Sequence, residues 1–285
     1  MHSLAVFDTC LGCPIGRNHF NSNQLVAIMS RIRFLSTTAA RALLAGVVLS
    51  FAPLGLSAGE SALEPEAKQT LKKSMNYLAG IQQFGLLAHS SLEVVLTTGQ
   101  KIQFDSASAV AVKRPNLFYA ARLGELTDQE FFYDGKTLTL HQADAGFYAT
   151  VEAPDTLEGM LDFARESLDI VAPAGDFIYA NSYEILMEGV ESGFVVGPSF
   201  VNGVACDHLA FSKPGTDFQI WVARGDQPLP VKLVITSTDM MSAPQFTVDV
   251  REWDIVVDHP QEKFQFVQPD DAQAIEFTTL DAGGK

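Results

Sequence analysis

The hydrophobic pattern begins as a helix and then changes to strands. Between residues 62 and 83, Ala67, Leu71, Met75, Leu78 and Ile81 recur at spacings of three and four, which predicts a helix with one apolar stripe. From residue 84 to 152 apolar and polar positions alternate, and the links between the runs are short and rich in Gly, Pro, Asn and Asp. Short links of this kind favour antiparallel neighbours over parallel strands joined by helices.

Two further blocks complete the pattern. Helical spacing returns from residue 155 to about 170, and the apolar run from Phe177 to Met187 predicts another helix. After Gly193 the alternation resumes, and Asn202-Gly203 is typical of a two-residue hairpin turn. We count about eleven strands. They predict a mainly β (α+β) fold, a curved and incomplete antiparallel β-barrel whose open side is covered by a helical lid.

Residues 31–58 have the composition of a secretory signal peptide. Arg31, Arg33 and Arg41 precede or flank an apolar run at 42–52, and Leu56-Ser57-Ala58 forms a cleavage site. We therefore expect residues 1–58 to be a leader and residues 59–285 to be a single periplasmic domain. The chain would be exported by the general secretory route into a Gram-negative envelope.

The segment before this signal contains a CxxC pair. Signal peptides normally stand at the start of a chain, so Met29 is a plausible true start and residues 1–28 an over-extended reading frame. Cys10 and Cys13 have the spacing of redox and zinc sites, but they precede an export signal. After cleavage Cys206 alone remains, which excludes an intramolecular disulfide.

The chain is strongly acidic. The chain has 34 acidic and 19 basic residues and a net charge of −15, which argues against nucleic acid as a partner. Acidic residues recur every three or four positions, as Glu152, Asp155, Glu158, Asp162, Glu166 and Asp169. This acidic stripe is either a solvated helix face or a docking surface for a basic envelope protein.

Catalytic motifs do not stand out. The sequence has no metalloprotease, serine-elbow, phosphate-loop or dinucleotide motif, so we expect no catalytic residues, no metal and no cofactor. Cys206 and His208 are two apart on a predicted strand and share a face. They favour a packed cysteine beside a hydrogen-bonded histidine, and the alternative is the nucleophile of a hydrolase.

Three blocks carry a family resemblance: Cys206-Asp207-His208-Leu209-Ala210-Phe211, then Phe218-Gln219-Ile220-Trp221-Val222, then a third from Pro228 through Pro230 to Thr236. They resemble the DUF2092 family of periplasmic proteins, over roughly residues 62–268, although Phe218 stands where that family favours Trp. The family has no assigned activity. Its fold is similar to that of the lipoprotein carrier LolA, which implies an incomplete barrel able to bind acyl chains.

Aromatic side chains suit either a solid core or a cavity beneath the lid. The cavity hypothesis places ligand contacts at Phe118, Phe132, Phe147, Phe218, Trp221 and Trp253. Its lid residues are Leu71, Met75, Leu78, Leu157, Met160 and Leu161. We therefore expect a monomeric, non-enzymatic binding or carrier protein for an apolar ligand such as an acyl chain, lipid or lipoprotein. The alternatives are an envelope interaction protein and a hydrolase built on Cys206 and His208.

Overall fold

A computed structural model describes residues 62–170 and 174–277. The leader, the Cys10–Cys13 pair and Met29 lie outside the described residues, so the expectations for them stay predictions. Within these two ranges, no helix combines the length and the apolar character that a membrane crossing requires.

Three helices and two 3-10 turns accompany the sheet. The helices are α1 (Pro65–Gly80), α2 (Leu157–Ser167) and α3 (Ser182–Met187), and the turns lie at Gly175–Phe177 and Gln261–Phe264. Thr156 caps α2, since its hydroxyl accepts a hydrogen bond from the Gly159 amide at 3.1 Å. The helix expected over 177–187 is shorter than predicted, because the chain makes a 3-10 turn first and α3 begins only at Ser182.

The described residues form twelve strands in one antiparallel sheet with a parallel edge. They are β1 (Gln83–Val95), β2 (Lys101–Lys113), β3 (Leu117–Gly124), β4 (Thr127–Tyr133), β5 (Thr137–Gln142), β6 (Phe147–Glu152), β7 (Ser192–Val201), β8 (Val204–Lys213), β9 (Thr216–Ala223), β10 (Pro230–Ser237), β11 (Gln245–Asp254) and β12 (Gln273–Ala274). The order is β12-β6-β5-β4-β3-β2-β1-β11-β10-β9-β8-β7. The sheet stays open, so the prediction of a mainly β, incomplete barrel is confirmed. The two-residue β12, parallel to β6, was not predicted.

The sheet has two faces with different cover. We call the face that packs against α1 and α2 the helix face, and the opposite face, which the segment 258–277 contacts, the tail face. Alternation along β3 shows the division: Phe118 is buried in the core on the helix face, whereas Tyr119 lies on the tail face with Lys263 above its ring. Cross-strand partners share a face, so the pairing register assigns every strand.

The hydrophobic core lies on the helix face. On α1, Leu71, Met75 and Leu78 are completely buried, and they belong to one cluster with Phe211, Leu209 and Phe218 of the sheet. Leu157 and Met160 of α2 join the same cluster beside Phe118 and Tyr133. The apolar stripes predicted for the two long helices are therefore the surfaces that cover the sheet.

The C-terminal segment packs across the tail face. His259 is buried, and its Nε2 atom lies 3.0 Å from the Phe84 carbonyl oxygen. Farther along, Phe266 packs against the rings of Phe132, His141 and Tyr148, at 4.9 Å from the last of these. Aromatic residues of β4 and β6 thus obtain their cover from the tail.

Tyr133 couples the sheet to the start of α2 and predicts a pH dependence. Its hydroxyl donates to the Pro154 carbonyl, and burial, followed by the charges of Asp155 and Asp134, raises its pKa to about 12. The unfolded pKa is about 10, so this contribution is complete below pH 10 and is lost as the pH rises toward 12. We expect wild type to lose about 2 kcal/mol more stability than Tyr133→Phe between pH 10 and pH 12, measured by urea unfolding. Parallel curves for the two proteins would contradict this.

Candidate functional site

The structure separates the six aromatic residues proposed to line a cavity. Phe118, Phe218 and Trp253 lie on the helix face, where the first two are buried in the core and Trp253 packs against it. Phe132 and Trp221 lie on the tail face by register, opposite the expected position. Phe147 lies near the sheet edge and is 39% exposed. The six residues therefore do not line one space.

The six proposed lid residues lie on α1 and α2, and their side chains are packed into the core. Leu71, Met75, Leu78 and Leu157 are completely buried, and Met160 and Leu161 are nearly so. Together with the strands they form one continuous core. In this conformation the space under α1 and α2 is occupied by protein side chains, so a ligand surface has to be sought where the helices end.

Beyond the helices, the helix face carries a polar band. It crosses β1 to β5 and consists of half-buried side chains: Ser90, Ser106, Ser108, Arg122, Thr127, Gln129 and Gln142. The Arg122 Nε atom donates to Ser106 Oγ at 3.2 Å, and the Ser90 and Ser106 hydroxyls lie 2.8 Å apart. These contacts confirm that the residues share a face, as the register requires.

Past the polar band, the same face becomes apolar again. An outer apolar patch covers the far half of the β1–β2 hairpin and the adjoining part of β11: Leu92, Val94, Ile102, Phe104, Phe246 and Val248. All six side chains are half-buried, and none belongs to the core cluster. A partly exposed apolar surface of this kind is typical of a site for an apolar ligand or partner.

The residues of the family motif form a network over β8, β9 and β10. His208 Nε2 lies 3.0 Å from Gln219 Oε1, and its ring stacks on Trp221 with the centroids 4.0 Å apart. Lys232 lies over the Trp221 ring at 5.1 Å. Asp207 pairs with Arg224, and the Pro230 carbonyl accepts a hydrogen bond from Trp253 Nε1 at 2.8 Å. Each side chain has a partner within the fold, so the network supports the sheet.

Cys206 lacks the surroundings of a nucleophile. Its side chain is buried, its thiol donates to the Val204 carbonyl at 3.4 Å, and burial raises its pKa. Burial also lowers the pKa of His208, whose ring is held by Gln219 and Trp221. A reactive cysteine needs a lowered pKa and access to substrate, so the geometry gives the hydrolase alternative no support.

The tail face carries a groove of about 670 Å³. Its walls combine polar and apolar surface and carry charges of both signs, with Asp105 and Glu125 on one side and Asp249 and Arg251 on the other. Arg251 pairs with Asp249 at 3.5 Å and also donates to Asn202 Oδ1 at 2.7 Å. Asp249 and Arg251 balance each other, whereas Asp105 and Glu125 have no basic partner among the described residues, so the groove keeps a net negative charge.

The acidic stripe is partly engaged within the fold. Glu158 accepts a hydrogen bond from the Ala180 amide at 3.2 Å and lies 3.9 Å from Arg114. Asp162 accepts hydrogen bonds from Tyr179 and Arg165. Two of the six carboxylates are therefore structural, which weakens the docking surface. Binding of a basic protein stays a prediction, as does the monomeric state.

Solved structures similar to this chain have low identity. LprF from Mycobacterium bovis is 13% identical with a TM-score of 0.43, covering 74% of this chain and 99% of that one. An uncharacterized conserved protein from Thermus thermophilus is 10% identical with a TM-score of 0.44, over 74% and 99% of the two chains. A LolA superfamily protein from Nitrosomonas europaea is 11% identical with a TM-score of 0.36, over 70% and 97%.

No curated protein matches the sequence. The family model described as "Predicted periplasmic protein (DUF2092)" matches residues 67–278, which include most of α1, the whole sheet and the three motif blocks. The resemblance inferred from those blocks and the periplasmic location expected from the leader agree with this match. The chain belongs to the DUF2092 family of predicted periplasmic proteins.

Proposed function

We propose that this protein is a non-enzymatic periplasmic binding or carrier protein for an amphiphile with an acyl chain. The observation that carries the proposal is the outer apolar patch, which continues the apolar side of the sheet beyond the helices. Leu92 pairs with Phe104 on one side and Phe246 on the other, so these three side chains form a continuous surface across three strands.

Burial of an acyl chain is sufficient to explain binding there. Each methylene removed from water contributes about 0.8 kcal/mol, so a chain of ordinary length needs an apolar surface and no specific chemistry along its length. The neighbouring core provides a rigid base, since Val250 and Ala88 beside the patch are nearly completely buried. The ligand would cover side chains that are left half-exposed in the free protein.

The test is native mass spectrometry of the protein expressed with its own leader and purified from periplasm. We expect an added mass that is lost on denaturation and is recovered as a lipid in an organic extract. The purified protein should also bind dodecanol saturably in calorimetry. An unmodified mass, together with no saturable binding of dodecanol or any charged C12 amphiphile, would overturn the proposal.

A further inference from the structure

One arginine differs from the others in the described part of the chain. Arg114, Arg165, Arg224 and Arg251 each lie within 4.0 Å of an acidic side chain. Arg122 has no acidic partner among the described residues. Its hydrogen bond from Nε to Ser106 Oγ leaves the two terminal nitrogens without a protein acceptor. Neither of them is among the buried unpartnered atoms, so each keeps some contact with solvent.

The surroundings of Arg122 are neutral. Its cross-strand neighbours are Ser108 on β2 and Gln129 on β4, whose side chains share its face. In the same polar band, the Thr127 hydroxyl is buried and has no hydrogen-bond partner in the described structure. The band therefore combines an unpaired cation with unused hydrogen-bonding groups.

A half-buried guanidinium without a counter-charge is costly. Burial lowers the pKa of Arg122, and no nearby carboxylate opposes this effect. Arginine nonetheless remains protonated in proteins, so the positive charge persists on the helix face. A carboxylate or phosphate oxygen would restore the lost solvation and accept two parallel hydrogen bonds.

We infer that Arg122 binds the anionic head group of an amphiphile whose acyl chain lies on the outer apolar patch. This inference rests on the proposed function and assigns the ligand class. Arg122 would be the specificity-determining residue, and the serine and glutamine side chains of the polar band would contact the remaining head-group oxygens.

The distances along the strands fit such a ligand. Ser108 stands opposite Arg122, and Ile102 lies six residues away at the far end of the patch on the same strand. At about 3.3 Å per residue, six residues span about 20 Å. The hydrocarbon core of one bilayer leaflet is about 15 Å thick, which is half of the whole core. One acyl chain therefore fits between the polar band and the hairpin tip.

The experiment compares four C12 amphiphiles by isothermal titration calorimetry with the full mature protein. They are dodecanoate, dodecyl phosphate, dodecanol and dodecyltrimethylammonium. We expect at least one anion to bind about tenfold to a hundredfold more tightly than dodecanol, the range of a charge-assisted hydrogen bond, and the cation to bind most weakly. The tighter of the two anions identifies the head group as carboxylate or phosphate.

Three variants test the residue itself. Arg122→Gln should lose the preference for the anion and leave dodecanol binding unchanged, while Arg122→Lys should retain part of the preference. Arg251→Gln, which removes a paired arginine from the tail face, is the matched control and should behave like wild type. If Arg122→Gln does not fold, Arg122→Lys and the wild-type ligand series still decide the question.

The outcomes separate the two proposals. Equal binding of dodecanol and both anions, or an anion preference that Arg122→Gln retains, would overturn the inference and leave the carrier function intact. Absence of binding by all four amphiphiles, together with an unmodified mass in native mass spectrometry, would overturn the carrier function.

Discussion

Replacement of Leu71 by alanine is expected to lower the free energy of unfolding by about 2–5 kcal/mol. Leu71 is completely buried in the middle of α1, within the cluster that joins this helix to the sheet. Alanine would leave a cavity among side chains that have little room to close it. The measurement is urea unfolding at neutral pH, followed by tryptophan fluorescence.

Lys73→Ala on the same helix is the control. Lys73 is exposed, and alanine has a slightly better helix propensity than lysine, so this variant should stay within about 0.5 kcal/mol of wild type. Equal losses in the two variants, or a loss below about 1 kcal/mol for Leu71→Ala, would contradict the packed interface between α1 and the sheet.

The α1 residues that pack against the sheet could be predicted from the sequence because the pattern that identifies them is local. The stripe on α1 requires positions three and four apart, and the hairpin between β7 and β8 requires only that Asn202 and Gly203 adopt positive φ, which they do at 53° and 81°. Neither feature depends on a distant part of the chain.

The side of the sheet on which each aromatic residue lies depends on distant parts of the chain, and it was not predicted. Phe131 and Phe132 are consecutive, so one must lie on each face, and alternation alone does not say which face the helices cover. Phe132 lies on the tail face because Phe266, more than a hundred residues later, packs against it. Trp221 likewise lies opposite the helix face, between His208 and Lys232.

The polar band was missed for a related reason. Phe118, Ala120 and Arg122 alternate on one face, so the sequence does show a charged residue at an inward position of β3. Whether Arg122 lies beneath a helix or on an uncovered part of the sheet depends on where the helices end. That boundary is set by tertiary packing, since α1 contacts β7 to β9 while α2 packs near Phe118. The far end of the β1–β2 hairpin is partly exposed for the same reason, because the helices do not extend over it.

A change from leucine to aspartate at position 92 is expected to weaken acyl-chain binding by at least about tenfold. The carboxylate would stand between Phe104 and Phe246, in the centre of the outer apolar patch. Covering it with a chain would remove a charge from water, which costs far more than about 1.4 kcal/mol, the equivalent of a factor of ten. The measurement is calorimetry with dodecanol, which separates this effect from repulsion of an anionic head group.

Leu123→Asp gives a matched control, because Leu123 lies on a nearby strand, faces the tail side and is 52% exposed. It introduces the same charge into the same sheet and should leave dodecanol binding unchanged. If both variants keep the wild-type thermal midpoint and only Leu92→Asp loses affinity, the ligand lies on the helix face. If Leu123→Asp weakens binding and Leu92→Asp does not, the ligand binds in the tail-face groove and not on the outer apolar patch.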